Sequence, residues 1–280
     1  MGRFSGTGMG RTVSALSVIF ATVGCAPPGS KVPSAKTDHL RDTVRVGPPV
    51  NADVSYMRAG VAGGTRLILV HGTPGSGQSW SNYLLNPPPG MEVIALDRPG
   101  FGRSGPEGSV TSLAAQAAAV AALLPRNGAR VVLLGHSLGG AVVARVAADH
   151  PEQVSALILL AASLDPSQEK IHPLQAVAAT WPFRVALPRA LRNSNEELLV
   201  FKPELEHLAS ALGLVKAPFI IVHGTEDDLV PVANVPFMQA HLNGSRCSKT
   251  VLLPGLNHFL PWNSEGAVRD AIQWATTAAC

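Results

Sequence analysis

The 280-residue sequence predicts an α/β fold: a mostly parallel central sheet flanked by helices, with a small helical cap inserted late in the chain. Three observations carry this. Apolar runs of strand length alternate with helical patterns, which argues for a sheet built from right-handed crossovers. The runs are continuous in Val, Ile and Leu rather than alternating, as strands covered on both faces require. One interval, 164–214, separates two strands by more chain than a structureless loop in a compact domain accounts for.

The elements follow in order. DVSYMRAG (53–60) alternates like a half-exposed strand, and TRLILVHG (65–72) reads as a buried one. SWSNYLL (79–85) is helical, MEVIALD (91–97) a strand, and VTSLAAQAAAVAALL (110–124) a helix. RVVLLGH (130–136) is the next strand, LGGAVVARVAADH (138–150) its helix, and SALILLAA (155–162) another strand. The cap follows, with helical fragments QAVAATW and EELLVFKPELEHLASAL. Within it, RNSNEEL (192–198) reads as a helix start at which Asn193, Ser194 or Asn195 would be an ordinary cap. The chain then runs through the strand APFIIVHG (217–224), the helix VANVPFMQAHL (232–242), the strand TVLLPG (250–255) and the helix SEGAVRDAIQWATT (264–277).

With 46% hydrophobic and 15% charged residues the chain can bury a sizeable core. The formal net charge is +3, and two of its basic residues, Arg3 and Arg11, precede the first apolar run. No basic stripe asks for nucleic acid. That first run, Val13–Gly24, is 12 uncharged residues, the length of a signal-peptide core and too short to span a bilayer. It ends at Cys25, followed by APPGSKVPSAK. The segment resembles a bacterial lipoprotein signal. The resemblance implies acylation of Cys25 and an exported protein, lipid-anchored to the cell envelope on the periplasmic or outer side. An ordinary secretory signal with a cysteine nearby is the alternative. On this reading 1–24 is a leader, 25–41 a Pro/Ser/Lys/Gly tether, and 42–280 the folded domain.

The strand LLGH stops at a serine boxed in by glycines: Gly135, His136, Ser137, Leu138, Gly139. At a sharp strand-to-helix turn, side chains two residues either side of the serine would collide, which is why glycine stands there. Such a turn lifts a hydroxyl above the sheet and aims a helix N-terminus at it. Ser137 alone is a poor nucleophile; it needs a base and an acid that orients the base. The strand FIIV runs into HGTEDDLVP (223–231), offering Glu226, Asp227 and Asp228 at a strand's carboxyl end. The strand VLLP runs into GLNHF (255–259), placing His258 at the next such end. In an open parallel sheet, chemistry gathers at that edge. His136 lies inside the turn, and His71 and His223 begin loops that they would brace.

Five segments, HGTPGSG (71–77), DRPGFGRS (97–104), GHSLGG (135–140), HGTEDDLVP (223–231) and GLNHF (255–259), together resemble the α/β-hydrolase superfamily, close to its lipase- and esterase-like members. The resemblance covers about residues 50–280. It implies a nucleophile elbow at Ser137 and a Ser–acid–His order. Its Gly-x-x-Asp pattern falls on Gly224 and Asp227, making Asp227 the acid and His258 the base. The amides of Thr73 and Leu138 would hold the oxyanion. Asp97 and Arg98 would pin neighbouring loops. The activity implied is hydrolysis of a carboxylic ester, with a small-molecule substrate, no cofactor and no metal. The same three residues run C–C, lactone, amide and peroxy-acid chemistry, and a non-catalytic envelope binding protein on this fold is the reading from another class. Epoxide hydrolase and dehalogenase relatives carry aspartate where Ser137 stands.

Apolar residues of the cap, among them Trp181 and Phe183, are candidates for lining the acyl site or for docking the cap. Once Cys25 carries lipid, Cys247 and Cys280 remain as an even pair in an oxidising compartment. Cys247 precedes a strand at the sheet's amino edge, and the last helix runs back toward that edge, so a Cys247–Cys280 disulfide is expected.

Overall fold

A computed structural model describes residues 34–278; the leader, Cys25 and Cys280 lie outside the described residues. Among these, one sheet contains β1 (Arg41–Val46), β2 (Ala52–Gly60), β3 (Thr65–Val70), β4 (Met91–Leu96), β5 (Val131–His136), β6 (Ala156–Leu160), β7 (Phe219–Gly224) and β8 (Ser248–Leu253). Their spatial order is β1-β2-β4-β3-β5-β6-β7-β8. The pairs β1–β2 and β2–β4 are antiparallel, and every pair from β4 across to β8 is parallel. Helices α1 (Ser81–Leu85), α2 (Leu113–Ala121), α3 (Leu138–Asp149), α4 (Pro173–Ala178), α5 (Phe183–Ala186), α6 (Arg189–Ala209), α7 (Asn234–His241), α8 (Leu260–Asn263) and α9 (Glu265–Thr277) surround it.

The continuous apolar strands divide their side chains between two cores, as the two-residue period of a strand dictates. Ile68, Val70, Leu133, Leu157 and Ile221 face one side with α2, α3 and the second half of α6. Leu67, Leu69, Val132, Leu134 and Ile220 face the other with Trp80, Tyr83 and α9. Register sets the functional edge. His136 stands opposite Leu160, Leu160 opposite Val222, and Val222 opposite Val251, so the loops after β5, β6, β7 and β8 leave the sheet side by side.

Three differences from the sequence reading have physical reasons. Residues 34–41, read as the end of a tether, fold as two 3-10 turns and the first residue of β1. Thr37 is buried there, and Asp38 accepts from Arg41, Gln78 and Arg103. The strand β1 is itself an addition. Its sequence, RDTVRV, is that of a charged edge strand, which protects an exposed edge and carries no apolar signal.

The third difference is in the cap. RNSNEEL is not a helix start: α6 begins at Arg189, after Pro188, and Asn193, Ser194, Asn195 and Glu197 are buried inside it. Asn193 and Glu197 face the loop after β4, through Gly100 O and Arg98, and Asn195 donates to Gln175 O in α4, so their polarity reflects buried partners, not capping. Among the described residues no helix is long and apolar enough to cross a membrane.

Candidate active site

Ser137 joins β5 to α3 with φ +57° and ψ −129°, a conformation that costs an L-residue about 1–3 kcal/mol. The surroundings hold it there. Its N–H donates to the Leu160 carbonyl (3.1 Å), and its carbonyl accepts from Gly140 (2.8 Å) and Ser163 (3.3 Å). A Cβ on Gly135 would stand 2.2 Å from the Gly139 oxygen, and one on Gly139 would stand 2.5 Å from the Val70 oxygen. Glycine is therefore required on both sides of the serine, and the turn presses against the end of β3. The loop after β3 also crowds the serine at Gly72, where a Cβ would lie 2.8 Å from Ser137 Cβ. Among the described residues, the backbone N–H groups of Thr73 and Leu138 donate to no protein acceptor.

The acid and the imidazole meet beside this turn. Asp227 Oδ2 lies 2.7 Å from His258 Nδ1, and Asp227 Oδ1 accepts from the N–H groups of Leu229 (3.0 Å) and Val230 (2.8 Å). Asp227 is buried, whereas Glu226 and Asp228 on either side are exposed. His136 connects this pair to Ser137. Its Nε2–H donates to the His258 carbonyl (3.0 Å), and the two rings lie 4.7 Å apart. Among the described residues Ser137 Oγ makes no hydrogen bond.

Comparison with known proteins bears on the fold. Residues 65–191 match the family model described as alpha/beta hydrolase fold. Over 119 residues the chain is 40% identical to lipase LipV of Mycobacterium tuberculosis, a stretch covering 41% of this chain and 45% of that protein. It is 29% identical over 231 residues to the pimeloyl-[acyl-carrier protein] methyl ester esterase of Aeromonas hydrophila, covering 70% of this chain and 89% of that one. A hydrolase of Pseudomonas aeruginosa superposes with a TM-score of 0.66 at 18% identity, over 85% of this chain and 98% of the other. The chain has the α/β-hydrolase fold. With relatives named lipase, methyl ester esterase and hydrolase, it is an enzyme of that fold.

Around the serine, this α/β-hydrolase-fold enzyme carries a buried polar scaffold. Asp97 accepts from Gly77 N–H (2.7 Å), Arg103 N–H (2.9 Å) and Arg41 Nη1 (2.7 Å), pinning the loops after β3 and β4. Arg98, 0% exposed, donates to the carbonyls of His71 (3.0 Å) and Gly72 (3.1 Å) and pairs with Glu197. His71 Nε2 accepts from the Arg98 N–H (3.0 Å), so its proton sits on Nδ1 and is donated to Gly72 O (2.7 Å). Burial, with the Arg98 guanidinium nearby, holds its pKa well below the ordinary histidine range. Burial, with His258 nearby, pushes His136 down to about 3. His223 is lowered mainly by burial, and its Nε2–H donates to Val230 O (2.9 Å). These three imidazoles are neutral struts.

The structure does not enclose the cap aromatics. Trp181 is 79% exposed and Phe183 56% exposed, so neither forms a packed face or a closed lining; Ile171, Val177 and Val185 of the cap are exposed as well. Cys247 is disulfide-bonded; Cys25 and Cys280 lie outside the described residues. Glu197 and His136 were not singled out for function from the sequence. The GHSLG motif names His136, but nothing local marks Glu197, whose partner Arg98 lies 99 positions away.

Proposed function

We propose that this enzyme is a serine hydrolase that cleaves a carboxylic ester through an acyl-enzyme on Ser137. The observation that carries the reading is the buried Asp227–His258 contact of 2.7 Å beside a serine held at φ +57°. His258 Nε2 accepts the Ser137 proton as Oγ attacks the ester carbonyl, and then gives it to the departing alkoxide, which leaves as the alcohol. Asp227 keeps the Nδ1 proton facing it and stabilises the imidazolium. The tetrahedral oxyanion takes hydrogen bonds from the unpartnered amides of Thr73 and Leu138, the latter at the amino end of the 12-residue α3. Water, deprotonated by His258, attacks the acyl carbonyl in turn and releases the carboxylic acid.

The relatives named lipase and methyl ester esterase support an ester as the bond cleaved. The exposed apolar residues of the cap, Trp181 and Phe183 among them, support an acyl group with apolar character. The test is a panel of chromogenic esters of increasing acyl length, run on the wild type and on Ser137→Ala. Turnover that disappears in Ser137→Ala agrees with the reading; turnover that survives the substitution, or no turnover on any ester, overturns it.

Two further readings rest on sequence. Cys25 carries lipid and anchors the exported enzyme to the envelope, and membrane fractionation of Cys25→Ser would show release or failed processing. Cys280 is the partner of Cys247; two free thiols on titrating the unreduced, unfolded mature protein would refute that pairing.

A further inference from the structure

The cap helix α6 docks on the loop after β4 through a polar seam. Arg189 donates to the carbonyls of Gly102 (3.0 Å), Ser104 (2.6 Å) and Pro106 (2.7 Å), and Asn193 donates to Gly100 O (2.8 Å). Glu197 continues the row by pairing with Arg98. Spacing of four residues puts all three on one face of the helix. Glu197, however, does more than dock. Its Oε1 accepts from Arg98 Nη1 (2.8 Å) and Gln116 Nε2 (3.0 Å), and its Oε2 accepts from Arg98 Nη2 (3.1 Å) and Thr73 Oγ1 (2.8 Å). A carboxylate 3% exposed and holding four donors is a rigid fixture. One of those donors belongs to Thr73, the residue whose N–H the proposed function assigns to the oxyanion.

We infer that Glu197 is a positioning residue: through the Thr73 hydroxyl, the cap holds the Thr73 amide where the oxyanion develops. This rests on the reading of Ser137 as the nucleophile. The hold acts on the Gly72 side of Thr73, where a glycine leaves the backbone pliable, while Pro74 restricts the other side. Oxyanion donors act only when held within about 0.5 Å of the productive geometry. Arg98 clamps the loop from one side through His71 O and Gly72 O, and Glu197 ties both Arg98 and Thr73 to α6. A cap that merely covered the substrate would have no reason to send a buried carboxylate to this residue. The alternative is that Glu197 only neutralises Arg98, with the Thr73 hydroxyl an incidental extra donor.

Thr73→Val separates the two, because it removes the hydroxyl and leaves the amide and the Arg98–Glu197 pair in place. Thr73→Val, Thr73→Ser, Glu197→Gln and the double Thr73→Val/Glu197→Gln are assayed for kcat, KM and inhibition by a trifluoromethyl ketone, whose hemiketal oxygen imitates the oxyanion. The inference expects Thr73→Val to lower kcat about 10- to 100-fold, with KM moved less than about threefold, since the amide is misaligned rather than lost. Ketone affinity should fall by a similar factor, and Thr73→Ser should recover most of the loss. The double variant should be no slower than Glu197→Gln alone.

A Thr73→Val enzyme within about twofold of wild type in kcat and ketone affinity overturns the inference, as do losses that multiply in the double variant. If Glu197→Gln fails to fold, the comparison of Thr73→Val with Thr73→Ser decides alone. Labelling of wild-type Ser137 by a fluorophosphonate separates the two layers. No label overturns the nucleophile reading and this inference with it, whereas label together with an indifferent Thr73→Val overturns this inference only.

Discussion

Asp227→Asn is the substitution whose consequence follows most completely from the geometry. Oδ1 accepts two backbone N–H groups, from Leu229 (3.0 Å) and Val230 (2.8 Å), so the amide oxygen of the variant must occupy that side. Its NH2 group then points at His258 Nδ1, 2.7 Å from the present Oδ2. Two donors cannot share that contact. His258 answers by moving its proton to Nε2, leaving Nδ1 as an acceptor, and in that tautomer it cannot take the Ser137 proton. Trapping a triad histidine in the wrong tautomer lowers kcat by about 10⁴, equivalent to about 5.5 kcal/mol of transition-state stabilisation. Since the backbone hydrogen bonds survive, the midpoint of chemical unfolding should change little. The assay is kcat on the best ester of the panel, alongside Asp228→Asn, whose exposed side chain predicts a change within about twofold. Asp227→Asn retaining more than about a tenth of wild-type kcat, or Asp228→Asn crippled instead, would refute the reasoning.

Acid should destabilise the fold through its neutral histidines. His71 and His136 have folded pKa values below their unfolded ones, so the stability they confer is complete above about pH 6.5 and is lost as pH falls, for His136 toward its folded value of about 3. His136 alone should remove about 1 kcal/mol between pH 6 and 5, with His71 acting in the same direction, and a flat urea midpoint over that range would contradict this. Arg98→Met should cost about 3–5 kcal/mol by leaving the Glu197 carboxylate buried without its counter-charge, and the double Arg98→Met/Glu197→Met should recover much of that loss. A single-variant cost below about 1 kcal/mol, from denaturant titration, would show that the pair is not what holds α6 down.

The fold was legible where burial leaves a pattern. Runs such as LILV and VVLL identify strands covered on both faces, and the glycines at 135 and 139 announce the strained serine because nothing larger fits. The charged edge strand β1 escaped because its protection from aggregation is also the absence of an apolar signal. Asn193, Ser194 and Asn195 looked like caps because a sequence shows that a residue is polar, not whether its partner is water or a buried carbonyl. The Arg98–Glu197–Thr73 cluster lay beyond sequence reasoning for a related reason: three segments meet there only after the sheet and cap have folded, and no spacing along the chain encodes the meeting. The placing of Ser137, Asp227 and His258 at one edge was readable because Ser137 and Asp227 lie just past the buried strands β5 and β7, His258 lies past the half-exposed edge strand β8, and parallel strands deliver their ends to one edge.

The central claim is that Ser137 becomes acylated. Acid-quenching the enzyme during turnover of a slowly deacylating ester, followed by intact-mass and peptide-mass measurement, tests it directly. The account predicts a mass increase equal to the acyl group, located on the peptide containing Ser137 and absent from Ser137→Ala. An enzyme that turns over the ester with no adduct at any quench time, or with the adduct on another residue, would contradict it.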